Sequence, residues 1–265
     1  MASVNTNYGA SIALQNLNKT NSELERTQNR INTGMKVSSA KDSGAIFAIA
    51  TSQRAAASAQ DSVRSSIQRG QSIVDVALAA GDTITAALEE QKALAVSIAG
   101  STGAAQTSYL AEYNALGTEI ASALSGATFD GVNLFSANAA AITVQTGPST
   151  TYTLKAIAGA ATSVATTTTA TSGDAATLGA TVDGAITAFT AILSDFGTKS
   201  KSLGRQISFV NKLQDALEAG VGNLVDADLA KESAKLTALQ TKQQLGVQAL
   251  SIANSSSQTL LGLFR

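Results

Sequence analysis

Histidine and cysteine are both absent from this sequence. Without His the chain lacks the usual general base near neutral pH and the commonest metal ligand. Without Cys it has no thiol nucleophile, disulfide or thiolate metal site, and it is indifferent to redox compartment, which suits export. An enzyme is the least expected class, and no catalytic, cofactor-binding or metal-ligating residue is nominated. Trp is missing too, aromatics are 4%, and Pro148 is the single proline. Little Pro with much Ala favours long uninterrupted helices. Charged residues are 14%, against a typical share of about 25%. With a net charge of −1, bulk charge attracts neither nucleic acid nor an acidic membrane. No stretch approaches 18 apolar residues, so no membrane span is expected. Residues 1–30 hold no apolar core of a cleavable signal peptide and carry Lys19, Arg26 and Arg30. A chain of this kind that leaves the cell is expected to use a route other than the general one.

What is present is periodicity. The 265 residues suffice for one large domain or two small ones. Ala10, Leu17, Leu24 and Ile31 repeat every seven residues, while the companion positions Leu14, Asn21 and Gln28 are mostly polar. This stripe is too thin to hold a helix alone. Gly34 follows, and Ser39-Ala40-Lys41-Asp42 fits a capping box, so 34–44 reads as a bend. Ile46 and Ile49 lead into a far richer seam at Val63, Ile67, Gly70, Val74, Ala77, Gly81, Ile84 and Leu88, with alternating spacings of four and three. A helix over 45–99 would span roughly 80 Å. Gly70 and Gly81 each cost about 1 kcal/mol of helix propensity. They read either as sites of close backbone approach or as tolerated irregularities.

A shorter helix is expected from Gly103 to about Ser125, with Tyr109, Tyr113, Leu116, Ile120 and Ala123 on one face. The period then changes. Ile142, Val144 and Thr146 alternate with polar residues, Gly147-Pro148 marks a turn, and 151–154 alternates again, which predicts a β-hairpin. Residues 158–180 hold almost no large apolar group and are expected to form an exposed loop. A second rich seam follows at Val182, Ile186, Phe189, Leu193, Phe196, Ser200, Leu203, Ile207, Val210, Gln214, Leu217, Val221 and Leu224. Its phase slips at 224–229, and Leu229, Leu236, Gln243 and Leu250 begin a new sevenfold register flanked by Leu239 and Leu260.

The expected fold is mainly α, a long antiparallel coiled-coil-like helical rod with paired terminal helices and a small β-hairpin region. The expected divisions are 1–33 with 226–265 as a terminal assembly domain, 34–44 as a bend, 45–135 with 181–225 as the rod, and 136–180 as a variable hairpin and exposed loop. The rods can satisfy one another. Each arm would be marginal as an isolated helix. Even when paired, the arms leave residues such as Leu260, Leu261, Leu263 and Phe264 for further copies to cover. Head-to-tail contacts that do not close generate a helical filament, and the arms are expected to order on assembly. The assembly residues nominated on the arms are Leu14, Leu17, Leu24, Ile31, Leu229, Leu236, Leu239, Leu250, Leu260 and Leu263.

These features lie on recognisable stretches. NLVDADLAKESAKLTALQTKQQLGVQALSIANSSSQTLLGLFR at 223–265 closely resembles the end of bacterial flagellins, and INTGMKVSSAKDSGAIFAIA at 31–50 resembles the segment after their first helix. ATFDGVNLF at 127–135 is similar to the family's entry into its β part, and QRGQSIVDVALAAGDTITAAL at 68–88 to the alphaproteobacterial branch. The match covers both ends and most of the rods, leaving 136–180. The resemblance implies the major subunit of the flagellar filament, with terminal helices forming an inner tube. It also implies an extracellular location reached through the flagellar type III export apparatus without signal cleavage. The implied partners are identical subunits, a chaperone masking the C-terminal helix, the filament cap and hook-junction proteins. The pattern Gln-Arg-x-Arg-x-Leu, by which an animal Toll-like receptor senses flagellins, aligns with Glu89, Glu90, Gln91, Lys92, Ala93 and Leu94. Glu90 reverses the charge of the family's Arg, so weak receptor activation is expected.

Other patterns have simpler readings. Asp226, Asp228 and Glu232 suit a helix start better than a cation site. Lys199 and Lys201 near Gly197 lack the P-loop frame. Asn18-Lys-Thr20 and Asn254-Ser-Ser256 match the N-glycosylation pattern by chance, in arms expected to be buried. The Thr-rich run at 166–171 is either a bare polar loop or an acceptor of O-linked sugars. The zinc protease found in the insert of some flagellins needs His, which is missing. The alternatives are a hook–filament junction protein of the same architecture and a surface adhesin.

Overall fold

The computed structural model describes residues 6–136, 141–155, 163–165 and 167–263, the last eight of these by backbone alone. The helices are α1 (Tyr8–Thr33), α2 (Gly44–Ala99), α3 (Ala104–Gly126), α4 (Leu178–Val225) and α5 (Leu229–Leu263). Two hairpins separate α3 from α4: β1 (Thr128–Phe129) with β2 (Val132–Asn133), and β3 (Ile142–Gln145) with β4 (Thr151–Leu154). The fold is mainly α with long helices and small β-hairpins. The chain divides into two compact units, Met1–Ala56 with Ala216–Arg265, and Ala57–Asp215.

The helix boundaries follow local chemistry. Asn7 Oδ1 accepts from Ala10 N at 2.9 Å and caps α1, and Gly34 ends it in the left-handed region at φ 69°. Asp228 Oδ1 accepts from Lys231 N at 3.1 Å at the start of α5. The box read at 39–42 forms only in part. Asp42 Oδ2 accepts from the backbone N–H groups of Ser38 and Ser39, but Ser39 Oγ turns to the same carboxylate instead of capping a backbone N–H. Those backbone donors are the main reason the Asp42 pKa lies below its ordinary value. Residues 39–42 make a tight turn, and α2 begins at Gly44.

In the 57–215 unit, α2 and α4 run antiparallel. Asp61 meets Gln214, Asp75 meets Ser200 and Lys92 meets Asp183, so partner numbers fall as the first numbers rise. The core joins both helices to α3 and both hairpins. Phe135 anchors it, with its ring centroid 5.6 Å from both Phe189 and Phe196. The β3–β4 register pairs Ile142 with Leu154 and Val144 with Tyr152, so all four side chains share the face on the core. Two seam glycines have a packing reason. A Cβ on Gly70 would lie 2.6 Å from Val144 Cγ2, and one on Gly81 would meet the tip of Leu193.

The segment expected as an exposed loop is partly buried. Val164, Thr167, Ala170 and Leu178 are all enclosed. Small residues permit this through close backbone approach rather than through greasy bulk. The Thr168 carbonyl lies so near Gly117 that no Cβ fits there. Asn114 holds the strap at both ends of one residue, accepting from Ala170 N at 2.7 Å and donating to Ala170 O at 3.1 Å. Thr171 and Asp174 then form a capping box at the turn into α4. On α3, Tyr109 is exposed and Leu110 packs inward in its place, beside Tyr113 and Ile120.

Candidate assembly interface

The terminal helices meet in the other unit. Asn7 Nδ2 donates to Ala253 O at 2.8 Å, Gln243 Nε2 donates to Asn21 Oδ1 at 2.8 Å, and Arg30 pairs with Glu232 at 3.0 Å. The order of these contacts makes α1 and α5 antiparallel over nearly their whole length. Gly246 lets Leu17 approach closely, at 3.3 Å from where a Cβ would stand. Where α1 ends, Met35 bridges to Asp226, Lys36 N donates to Val225 O at 2.6 Å and Ala227 N donates to Gly34 O at 2.9 Å. A small core of Val37, Ala50, Val221 and Val225 lies beside this junction.

The seam between the arms is poor in apolar mass. Of the nominated residues, Leu17, Leu24, Ile31, Leu236 and Leu250 are half-buried, and Leu239 is enclosed. Leu14 and Leu229 are exposed, each at 49%. The side chains of Leu260 and Leu263 lie outside the described residues. Two interior positions escaped the sequence reading: Thr20 and Thr27 are buried between the helices. They sit three residues beyond Leu17 and Leu24, where the alternating spacing calls for the second line of a seam, but a hydroxyl conceals the pattern. Thr20 Oγ1 donates back to Asn16 O at 2.9 Å, leaving its methyl to pack. Among the described residues Thr27 Oγ1, Arg30 Nε and Glu232 Oε2 are buried with no hydrogen-bond partner.

The outward faces of the arms are rich instead. Tyr8, Ile12, Leu14, Leu229, Leu245, Val247 and Ile252 are exposed. Fully burying one such side chain gives about 1.5–3 kcal/mol.

Comparison with known proteins identifies the family. A model described as the bacterial flagellin N-terminal helical region matches residues 4–140, and one for the bacterial flagellin C-terminal helical region matches 179–264. This chain is a bacterial flagellin. It is 51% identical to Flagellin FljK of Caulobacter vibrioides, across 99% of this chain and 98% of that protein. It is 38% identical to a flagellin of Brucella melitensis and 33% identical to Flagellin C of Rhizobium meliloti, in both cases across the whole of each chain.

The remaining nominated residues of this flagellin lie in the 57–215 unit. Val63, Ile67, Val74, Ile84, Leu88, Phe189 and Val210 are buried, and Ile186, Leu193 and Ile207 are partly buried against the same core. In the receptor-like stretch, Glu89, Glu90 and Lys92 are exposed and Leu94 is half-buried. Lys92 forms an ion pair with Asp183. Gln91, at one of the unspecified positions of that pattern, points inward with no exposure. Its amide donates to Thr167 O at 2.9 Å and to Tyr113 O at 3.1 Å, and so ties α2 to α3 and to the strap. Among the described residues no group of three His, Cys, Asp or Glu side chains is placed to hold a metal ion. No described helix is long and apolar enough to cross a membrane.

Proposed function

We propose that this chain is the subunit that self-assembles into the extracellular flagellar filament for swimming motility, and that α1 and α5 are its assembly elements. The observation that carries this is the α1–α5 pair, held by polar ties and a thin seam while seven of its large apolar groups, Tyr8, Ile12, Leu14, Leu229, Leu245, Val247 and Ile252, stay exposed. Such a pair is incomplete alone and is completed by neighbouring copies. On this reading residues 1–33 and 226–265 line the filament interior, 45–135 and 181–225 form the surrounding shell, and 136–180 faces solvent. Supporting partners are the flagellar export apparatus, a chaperone that covers α5 before export, the cap and the hook-junction proteins. A filament subunit needs no catalytic step, and none is assigned. Glu90, with its reversed charge, supports weak activation of the flagellin receptor.

Truncation tests the assembly assignment. Chains lacking 1–30 or 236–265 are expected to remain soluble and helical by circular dichroism, yet fail to elongate filament seeds viewed by electron microscopy. Elongation by either truncated chain at the rate of the full chain contradicts the assignment.

A further inference from the structure

The 57–215 unit carries two surface features that its own packing does not use. Lys201, Arg205 and Lys212 project from one stretch of α4 around Phe209, whose ring is 58% exposed. Among the described residues none of these three cations enters an ion pair. A largely exposed aromatic ring amid three cations is costly for a monomer and has the composition of an interface anchor. Earlier along the same unit, a shallow groove between α2 and α4 is lined by Asp82, Glu89, Ala86, Thr190 and Leu193. Asp82 and Glu89 are exposed and enter no ion pair among the described residues, and Leu193 supplies an apolar floor. The two features are opposite in charge, each has an apolar centre, and they lie on different stretches of one unit.

We propose that the Phe209 projection of one subunit docks in the Asp82–Glu89 groove of a second copy of this chain. The inference rests on the filament reading above and adds a contact outside the terminal helices. A polymer that grows without closing needs two different complementary surfaces on every subunit, and these features form such a pair. The ring meets Ala86 and Leu193, Arg205 and Lys201 face the two carboxylates, and the charges fix register more than they add affinity. With a net charge of −1 the chain has no global field to orient its copies, so local segregation of charge must do it.

The test is seeded elongation of the full chain followed by light scattering, with helicity checked by circular dichroism. Arg205→Glu and Glu89→Arg are each expected to slow elongation by about tenfold or more, since each places like charges opposite one another. Combined in one chain they restore the pairing with reversed sign, and the rate should return to within about threefold of the original. Phe209→Ser, at a side chain 58% exposed, is expected to slow elongation by about tenfold with unchanged helicity. It keeps the test open if a charge variant misfolds. Elongation of Arg205→Glu or Phe209→Ser at the original rate overturns the proposal, as does a double variant no faster than its slower parent. Failure of the unaltered chain to elongate seeds would instead overturn the filament reading itself.

Discussion

At Tyr113 the core encloses a hydroxyl that has no hydrogen-bond partner among the described residues. Burial pushes its pKa up to about 12, and the negative charge of Asp174 adds to the shift. A raised folded value means the contribution to stability is complete below the ordinary tyrosine value of about 10. It is lost as pH rises from there through about 12, because the unfolded chain releases a proton that the folded chain retains. The full loss is of the order of 2 kcal/mol. Replacing Tyr113 with Phe removes an unsatisfied hydroxyl without opening a cavity, so at pH 7 the variant should match or exceed the parent by up to about 1 kcal/mol. It should also lose this share of the fall in stability between pH 10 and 12. Urea unfolding at pH 7 and at alkaline pH measures both effects, and a variant destabilised at pH 7 would show that the hydroxyl does find a partner. Gln91 and Asn114 show why such residues are hard to find beforehand. Nothing in their neighbours distinguishes a surface amide from one that clamps backbone carbonyls, two for Gln91 and one for Asn114.

At the scale of the element, the long helices were legible because their seams repeat over many turns, and each repeat adds to the same face. Helix ends were legible where a glycine or a capping side chain marks them, as at Gly34 and Asp228. The β1–β2 hairpin was missed although Asp130-Gly131 carries its signal. Both residues have positive φ, 53° and 74°, as a two-residue type I′ turn requires. Of the segment 158–180 expected as an exposed loop, residues 158–162 and 166 lie outside the described residues, and the rest was misread because apolar bulk was taken as the measure of burial. Its contacts are backbone against glycine and amide against carbonyl, which composition does not display. The arms were read as one thin stripe because Thr20 and Thr27 look polar. Thr27 allows a direct check. Its Oγ1 is buried without a partner among the described residues, and Val has the same shape and a similar helix propensity. Thr27→Val is expected to stabilise the α1–α5 pair by about 1 kcal/mol, seen as roughly fivefold slower amide exchange in both helices. Unchanged or faster exchange would mean that the hydroxyl has a role which the arm pair alone does not reveal.

At the scale of the molecule, the two units differ in what holds them. The 57–215 unit has a continuous core that joins three helices and two hairpins through fully enclosed Ile, Leu, Phe and Val side chains. Among the described side chains the α1–α5 pair encloses Leu239 and two threonines, and its other large apolar groups there are half-covered or exposed. Opening free energies track buried apolar contact, so the arms should open far more readily than α2 and α4 in the isolated subunit. On the proposed assembly this reverses, because neighbouring copies would cover the exposed Tyr8, Ile12, Leu245, Val247 and Ile252 and add their burial to the pair. In dilute monomer, amides of α1 and α5 should therefore exchange at least about a hundredfold faster than those of 63–88 and 189–210. In the filament that gap should close to about tenfold or less. Hydrogen exchange by mass spectrometry on both forms measures it. Equal protection of arms and core in the monomer would mean that the thin seam suffices by itself. Polymerisation would then join preformed surfaces rather than complete unfinished ones.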